Sequence, residues 1–302
     1  MDWRALDRRV MQYLRDNYLR TLGSGETFRA EIDLPENKNL NFHTVSLEVA
    51  EQVYENRQGK IYIMYSGGVD SEYVLNLFLS LKIEVIPVII KLKPYYNEHD
   101  VKHAIDFCEA KKLKPVIIDL DFDHFVVSGR ILDIAREFKI GAYQLPSTFH
   151  CLNNLDGTVV MGSHGPPHMM LDQKTNTWMV DEIEPLHTVL KYFEKNKIYG
   201  CPYFLVHTPE QYFSFLQHPI MRDLANHRFP GKLGNNSTKG LVYNNVSGFN
   251  LIARQKYTGY ENIENSEIFR HENLKIFEEF KKQWWGIHAE PYHRVISQLQ
   301  PA

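Results

Sequence analysis

A short apolar run that leads directly into a glycine pair stands near residue 60. Residues Ile61 to Tyr65 are rich in β-branched and aromatic side chains, which is typical of a strand buried on both faces of a parallel sheet. Gly67 and Gly68 follow, and residues 72–82 then repeat apolar side chains at helical spacing. That apolar face consists of Val74, Leu75, Phe78 and Leu81. The order predicts a buried strand, a tight turn and a helix in immediate succession.

Strand and helix patterns continue to alternate after this unit. Pro87 cannot donate a hydrogen bond inside a strand, so it predicts either a bulge or a later strand start. Alternation at this spacing predicts an α/β fold with a parallel sheet, right-handed crossovers and helices on both faces. The further strands are predicted at Ile83–Leu92, Pro115–Leu120 and Thr158–Met161, with helices over 98–113 and around 131–138.

Two regions flank this predicted core, which spans residues 59–182. Residues 1–58 form an N-terminal extension with helical patterns around Leu6 to Leu22 and Val45 to Asn56. Residues 183–302 are mainly helical, and Thr208-Pro209-Glu210-Gln211 has the N-cap, the N1 proline and the N3 glutamine of a helix start. Residues 228–250 are rich in glycine and asparagine and lack periodicity, which favours a long functional loop.

Composition narrows the classes of function. The 302 residues carry 34 basic and 37 acidic side chains, so no broad positive field indicates nucleic-acid binding. No apolar run reaches the roughly 20 residues of a membrane-spanning helix, and residues 1–4 lack the layout of a signal peptide. Cys108, Cys151 and Cys201 are widely spaced without a Cys-x-x-Cys pair, which argues against a disulfide framework or a cysteine-bound metal. We therefore expect a reducing, cytoplasmic location and no membrane partner.

The turn itself reads Ser66-Gly67-Gly68-Val69-Asp70-Ser71. Glycines let the backbone turn tightly and approach a ligand without a Cβ, and the following helix directs its N–H groups and positive dipole end into the turn. A strand, turn and helix in this order form an anion site, to which the two serines add hydroxyl donors. Asp70 suits such a site if a divalent metal lies between it and the phosphates. The alternative is a loop that merely caps the helix.

These six residues resemble the Ser-Gly-Gly-x-Asp-Ser signature of the PP-loop ATP pyrophosphatases. That superfamily includes GMP synthetase, asparagine synthetase, NAD synthetase, 7-cyano-7-deazaguanine synthase and the sulfate-nucleotide reductases. The resemblance covers roughly residues 58–165 and implies a five-stranded parallel sheet in the order 3-2-1-4-5, with ATP across the carboxyl ends of the strands. It further implies that the six residues hold the pyrophosphate half of ATP, with Mg²⁺ near Asp70. The adenine would lie near the backbone of Ile90 and Lys91.

A second candidate segment, Gly162-Ser163-His164-Gly165, follows the fourth strand. By the resemblance, Gly162 permits a close approach, and His164 or Ser163 contacts ATP or the substrate. The alternative is a plain turn into Pro166-Pro167. His164 and His168 could suggest a metal pair, together with His150 and Asp172, but the prolines prevent a helix from presenting both histidines on one face.

Basic residues beyond position 228 complete the predicted site. PP-loop enzymes commonly bring a lysine or arginine from a C-terminal segment to offset the charge that builds on the leaving pyrophosphate. Lys256 is the first candidate and Arg254 the second, with ordinary solvated charge as the alternative. Lys232 and Lys239 lie in the predicted loop, which would shield an adenylate from water as a lid. Cys201 is a candidate for sulfur transfer or, alternatively, a buried core residue.

The predicted activity is that of an ATP-dependent synthetase. An oxygen of a small-molecule or nucleobase substrate attacks the α phosphorus, magnesium pyrophosphate leaves, and ammonia or an amine then displaces AMP. Two alternatives stay open: a thiol-dependent reductase of the sulfate-nucleotide type, and a nucleotide-binding module without catalysis. The sequence does not determine the substrate, the nucleophile or whether the chain forms a homodimer.

Overall fold

Five parallel strands form the central sheet of the computed structural model, which describes residues 18–22, 28–32, 35, 40–142, 144–162, 165–181, 186–228, 235–252, 259–260, 275–280 and 290–299. The described strands are β1 (Tyr18–Leu22), β2 (Phe28–Ile32), β3 (Ile61–Met64), β4 (Ile86–Lys93), β5 (Val116–Asp121), β6 (Thr158–Met161), β7 (His168–Asp172), β8 (Thr177–Asp181), β9 (Gly200–Cys201) and β10 (Glu290–Pro291).

Helices flank this sheet, so the fold is α/β as predicted. The described helices are α1 (Phe42–Glu55), α2 (Val69–Ser80), α3 (Glu98–Ala110), α4 (Phe122–Val127), α5 (Arg130–Phe138), α6 (Gln144–Leu152), α7 (Leu186–Lys195), α8 (Pro209–Gln217), α9 (Pro219–Ala225), α10 (Asn235–Ser247) and α11 (Tyr292–Ser297). A further helical stretch spans 275–280. None of the helices in these described ranges is long and apolar enough to cross a membrane.

The strands lie across the sheet in the order β5-β4-β3-β6-β9, and every neighbouring pair is parallel. Numbered along the chain within this sheet, the order is 3-2-1-4-5, which confirms the predicted topology. β4 begins only at Ile86, so the later strand start beside Pro87 is the correct interpretation. The strand order reverses at β3, because β4 and β6 pair with its two opposite edges.

The fifth strand, β9, consists of only two residues and pairs with Val159 and Val160 of β6. Two residues carry no periodicity, which is why no sequence pattern predicted this strand. A Cβ on Gly200 would lie 2.0 Å from the carbonyl oxygen of Val159, so the close strand pairing depends on glycine at this position. Between β6 and β9 the chain also forms the antiparallel hairpin β7–β8, on which β10 pairs.

The N-terminal extension differs from its predicted pattern. The predicted helix around Leu6 to Leu22 is wrong at Tyr18–Leu22, which forms β1 and pairs antiparallel with β2. Strand pairing depends on a partner distant from the local window, so helical spacing alone misassigned this segment. Residues 1–17 lie outside the described residues. The second predicted helix is confirmed as α1, and its N-cap Asn41 accepts hydrogen bonds from the backbone N atoms of His43 and Thr44.

The predicted loop over 228–250 is wrong for its larger part, because residues Asn235–Ser247 form α10. Glycine and asparagine lower helix propensity, but tertiary packing outweighs propensity when a helix is buried. The buried residues among those of α10 whose side-chain burial the structure describes are Thr238, Lys239, Gly240, Val242 and Tyr243. The helix packs against α1, α2 and α9. These contacts place α10 directly behind the loop that follows β3.

Candidate functional site

A cavity of about 320 Å³ opens at the carboxyl ends of β3, β4 and β6. Open α/β sheets bind their ligands at such a switch point, and the volume lies at the lower end of the range for small-molecule sites. Six of the residues predicted for a nucleotide site line this cavity: Ser66, Gly68, Asp70, Ser71, Ile90 and Gly162. The structure therefore brings residues from three separate parts of the chain to one place.

The glycine loop (Ser66–Ser71) delivers the start of α2 to this cavity. Gly67 has a φ of +69°, a left-handed backbone angle that favours glycine. Gly68 is the N-cap of α2, so the first-turn amides are not covered by an N-cap side chain. Val69 begins the helix and packs, partly buried, against the core. The positive end of the α2 dipole consequently faces the cavity.

Ser66 and Ser71 bridge the base of this bend. The Ser71 hydroxyl donates to the carbonyl oxygen of Gly68 at 3.0 Å. It also lies 3.3 Å from the backbone N and 3.3 Å from the Oγ of Ser66. Their hydroxyls hold the loop in this shape, and both serines line the cavity.

Asp70 projects from the first turn of α2 and is held by two side chains of α10. Tyr243 OH donates to Asp70 Oδ1 at 2.6 Å, and Lys239 Nζ lies 3.2 Å from Asp70 Oδ2. The side chain of Lys239 is 8% exposed and that of Asp70 is 24% exposed, so the ion pair is largely shielded from water. Burial, then the charge of Asp70, raise the pKa of Tyr243, which keeps its hydroxyl protonated as a donor.

Stacked aromatic rings fix α10 against α2. The ring centroids of Tyr73 and Tyr243 are 4.3 Å apart with an interplanar angle of 7°, and Phe42 of α1 packs against both rings. Phe215 of α8 meets the ring of Phe42 edge-on at 5.2 Å. Such aromatic pairs add about 1 kcal/mol beyond the area that they bury. This cluster sets the position of α10 and hence of the side chains that reach Asp70.

Gly165 lies directly against the ion pair. A Cβ at this position would lie 2.6 Å from Lys239 Nζ and 3.2 Å from Asp70 Oδ2, and the φ of Gly165 is +63°. Both the backbone angle and the missing side chain are therefore required for the segment after β6 to pass so close to Asp70.

Gly162, at the end of β6, packs against α2 itself. A Cβ here would lie 3.1 Å from Val74 Cγ2 and 3.4 Å from Ser71 Cα. The close approach expected at this glycine is thus an approach to the helix start, at the rim of the cavity. Ser163 and His164 lie outside the described residues.

The carboxyl end of β4 forms a second wall of the cavity. The Asn97 carboxamide bonds to the backbone here, because its Nδ2 donates to Ile90 O at 2.9 Å and its Oδ1 accepts from Leu92 N at 2.8 Å. Asn97 is the N-cap residue of α3, yet within the described chain its side chain bonds to β4 rather than to the first-turn amides. The backbone expected to lie near the adenine is consequently occupied by a side chain.

The wall contributed by α6 contains a buried hydroxyl. Ser147 is 1% exposed, and a hydrogen bond with its side chain opposes the rise in the pKa of Tyr260 that burial causes. Both residues line the cavity.

Several predicted residues cannot be placed relative to this site. Lys256, Arg254 and Lys232 lie outside the described residues, as does His164. Lys239 lies in the predicted loop, but that prediction is wrong at this residue, which contacts Asp70 from helix α10. Tyr243, which contacts Asp70, and Asn97, which contacts β4, are not among the residues predicted from the sequence. The spacing of the buried residues Lys239, Val242 and Tyr243 by three and four positions is the one sequence signal that could have indicated α10.

The described residues do not support the hypothesis of a metal site that includes His150 and Asp172. Both carboxylate oxygens of Asp172 accept hydrogen bonds inside the β7–β8 turn, from Lys174 N and Thr175 Oγ1. The ring of His150 packs against that of Phe125 at 5.0 Å. Among the described residues no group of three or more His, Cys, Asp or Glu could hold a metal ion.

All three cysteines are buried. Cys201 Sγ lies 3.4 Å from His207 Nδ1, and burial lowers the pKa of His207 to about 4 while it raises that of Cys201. Burial also raises the pKa of Cys108 to about 11 and that of Cys151 to about 12. Neutral, inaccessible thiols are poor nucleophiles, so Cys201 is a core residue in this structure.

No protein-family model matches the sequence, and a search of curated proteins finds no relative. The functional assignment accordingly depends on the residues themselves. Three features carry it: the glycine loop, the Asp70–Lys239 ion pair and the cavity that they adjoin.

Proposed function

We propose that this chain binds ATP across the carboxyl edge of its sheet and cleaves it between the α and β phosphates as an AMP-forming ligase. The observation that carries the proposal is the glycine loop, four of whose residues line the cavity at the β3 switch point. A helix start flanked by two serine hydroxyls suits a polyphosphate. The resemblance to the PP-loop pyrophosphatases supplies the reaction class.

The Asp70–Lys239 pair makes the loop compatible with a polyanion. An unpaired carboxylate beside a triphosphate would repel it, and the repulsion grows where water is excluded. The Lys239 ammonium compensates that charge, and Tyr243 adds a hydrogen bond to the same carboxylate. The α2 dipole and the loop hydroxyls then dominate the field at the cavity, and both favour an anion. This balance supports a phosphate ligand over a cationic one.

Magnesium fits this site as an ion carried by the nucleotide. Both oxygens of Asp70 already accept a hydrogen bond, and each keeps a further lone pair for a metal bond. Since the described residues contain no cluster of three or more metal-binding side chains, a metal held by the protein alone does not fit. Mg²⁺ commonly takes one or two carboxylates and completes its shell with phosphate oxygens and water. Asp70 would be the protein's ligand, and the ion would offset charge on the leaving pyrophosphate.

In the proposed reaction, a substrate oxygen attacks the α phosphorus and pyrophosphate leaves, so the substrate becomes an adenylate. An amine or ammonia then attacks the activated carbon and AMP departs. The protein contributes position and charge stabilisation: the glycine loop holds the pyrophosphate half, while Ser66, Ser71 and the α2 dipole stabilise its developing charge. Lys256 and Arg254 stay candidates for further stabilisation, and His164 for contact with ATP or the substrate.

The main alternative is a thiol-dependent reduction of a sulfate nucleotide. That chemistry needs a thiolate that reaches the substrate, whereas all three cysteines of this chain are buried with raised pKa values. Their burial favours the ligase. Unpaired thiols also fit the cytoplasmic location that we propose for the protein.

The test is product analysis with α-labelled ATP, Mg²⁺, ammonium and a panel of carboxylates, amides and nucleobases. AMP and pyrophosphate in equal amounts support the ligase, and ADP with phosphate contradicts it. Reduction of a sulfate nucleotide by dithiols without pyrophosphate would favour the reductase. Tight ATP binding with no product for any substrate would favour a binding module.

A matched pair of serine variants links the activity to the loop. Ser71 and Ser80 lie on the same helix, and each hydroxyl donates to the carbonyl oxygen three residues earlier. Ser71→Ala is expected to lower AMP formation at least about tenfold, the scale on which lost transition-state donors act. Ser80→Ala should leave the rate unchanged. Equal losses in both variants would show that the effect is structural.

A further inference from the structure

The backbone of β4 presents a donor and an acceptor to the cavity just beyond the end of β3. Tyr65 N donates to Val88 O at 2.8 Å, so the backbone groups of Val88 face β3. Alternate residues of a strand direct their backbone groups to the same side, so those of Ile90 and Leu92 also point this way. β3 has by then turned into the glycine loop. Ile90 O and Leu92 N therefore face the cavity rather than a continuing strand.

The Asn97 carboxamide satisfies both groups at once. It donates to Ile90 O through Nδ2 and accepts from Leu92 N through Oδ1, at 2.9 Å and 2.8 Å. Asparagine at an N-cap is strongly favoured because its side-chain oxygen accepts from the first-turn amides. Asn97 holds that position in α3, yet within the described chain its side chain bonds to the strand. Departures from the usual local role of a residue are expected at functional or strained sites.

The pair of groups on β4 matches the edge of adenine. In a carboxamide, a donor N–H and an acceptor oxygen share one carbon atom. In adenine, the donor N6–H and the acceptor N1 likewise share C6, whereas guanine carries an acceptor O6 and a donor N1–H at that edge. We infer that the Asn97 carboxamide occupies the place of the adenine edge in this cavity and is displaced when the base of ATP binds. The inference rests on the proposed ATP site and adds a side chain of this protein that competes with the base.

The surrounding side chains suit the faces of a base. Leu92, Val101 and Leu145 line the cavity next to Asn97 and Ile90, and all three are buried. Small-molecule sites combine such apolar walls with a few placed polar groups. Displacement exchanges two hydrogen bonds for two others, so Asn97 lowers the affinity for adenine without blocking it. Between binding events, Asn97 also provides hydrogen-bond partners for Ile90 O and Leu92 N.

Binding titrations with the full chain test this inference. The probes are inorganic triphosphate and non-hydrolysable analogues of ATP and GTP, each measured by calorimetry on the wild type, Asn97→Ala and Asn97→Ser. Alanine removes the competing carboxamide. Serine keeps a neutral side chain that is favoured at an N-cap, but it is too short to bond to Ile90 O and Leu92 N together. Both variants should bind the ATP analogue about two- to tenfold more tightly, the factor that one net hydrogen bond carries. Their affinities for triphosphate and for the GTP analogue should stay unchanged.

The outcomes separate this inference from the proposed function. Tighter binding of triphosphate and both analogues alike would overturn the inference, because the effect would not concern the base. Unchanged or weaker binding of the ATP analogue in both variants would also overturn it, since Asn97 would then brace the strand or contact the base directly. Failure of the wild type to bind triphosphate at all would refute the proposed ATP site itself. If Asn97→Ala does not fold, Asn97→Ser gives the same decision alone.

Discussion

Lys239 Nζ lies 3.2 Å from Asp70 Oδ2, although 169 residues separate the two along the chain. The contact ties α10 to the first turn of α2, at a carboxylate that also lines the cavity. Since the pair is largely shielded from water, removal of one partner leaves the other charge poorly compensated. The same contact therefore affects both the stability of the fold and the charge of the candidate site.

Lys239→Met tests this contact. The variant keeps the apolar stem but removes the ammonium, so Asp70 faces the ligand with an uncompensated charge. We expect the free energy of unfolding to fall by about 2 kcal/mol, the scale of a hydrogen bond to a charged group. The dissociation constant for ATP should rise at least about tenfold. Urea denaturation and calorimetric titration measure the two effects.

Lys102→Met is the control for Lys239→Met, because Lys102 pairs with Asp106 on an exposed helix surface. Lys102→Met should change neither the free energy of unfolding nor the dissociation constant for ATP. In the double variant Asp70→Asn with Lys239→Met, the loss of stability should be smaller than the sum of the single losses. Simple addition of the two losses would show that the residues do not interact.

Gly165→Ala should disrupt the same ion pair from the opposite side. The new Cβ would lie 2.6 Å from Lys239 Nζ, and the φ of +63° disfavours any residue other than glycine. We expect the free energy of unfolding to fall by about 1–2 kcal/mol because of the backbone angle. ATP binding should also weaken, because the new Cβ pushes Lys239 away from Asp70.

Gly129→Ala is a matched control for the loss of stability that the backbone angle causes. Gly129 has a φ of +76°, and a Cβ there would meet no atom of the described chain within 4 Å beyond its immediate neighbours. The control should lose similar stability but keep its ATP affinity. If both variants bind ATP equally well, Gly165 does not influence the site.

The segment from β3 to α2 could be predicted from the sequence because contiguous residues encode it. A buried strand, two glycines and a largely buried apolar helix follow one another within Ile61–Ser80, and each has its own local pattern. The sheet order could be predicted only through the resemblance that the glycine loop carries. The position of this loop at the switch point then follows from the topology.

The contacts that α10 and Asn97 make at the site could not be predicted, because long-range packing determines them. α10 has weak helical spacing and gains its order from the rings of Phe42 and Tyr73, which are distant in sequence. Asn97 before a helix indicates an N-cap, and only the end of β4 reveals its other partners. β9 is too short to leave a pattern at all.

Two variants of Tyr243 separate its hydrogen bond from its ring stacking. Tyr243→Phe removes the 2.6 Å bond to Asp70 but keeps the stack on Tyr73, so we expect a loss of about 1–2 kcal/mol in unfolding free energy. Tyr243→Leu also removes the stack and should lose about 1 kcal/mol more. Urea denaturation measures both. Equal stability of Tyr243→Phe and the wild type would show that the phenol does not hold Asp70.

His207 should make the fold sensitive to acid. Burial lowers its pKa to about 4, whereas histidine in an unfolded chain has a pKa of about 6.5. Between these values the unfolded chain binds a proton that the folded chain does not bind. The stabilisation is therefore complete above pH 6.5 and is lost as the pH falls towards 4, by up to about 1.4 kcal/mol per pH unit.

Urea denaturation of the wild type and His207→Gln at several pH values between 7.5 and 4.5 measures this contribution. The variant should show a shallower loss of unfolding free energy below pH 6.5, because glutamine does not titrate. His43, His150 and His218 also have pKa values lowered by burial, so part of the acid sensitivity will persist in the variant. The control His124→Gln changes an exposed residue and should keep the slope of the wild type. Parallel curves for the wild type and His207→Gln would show that His207 is not the buried neutral histidine that the structure indicates.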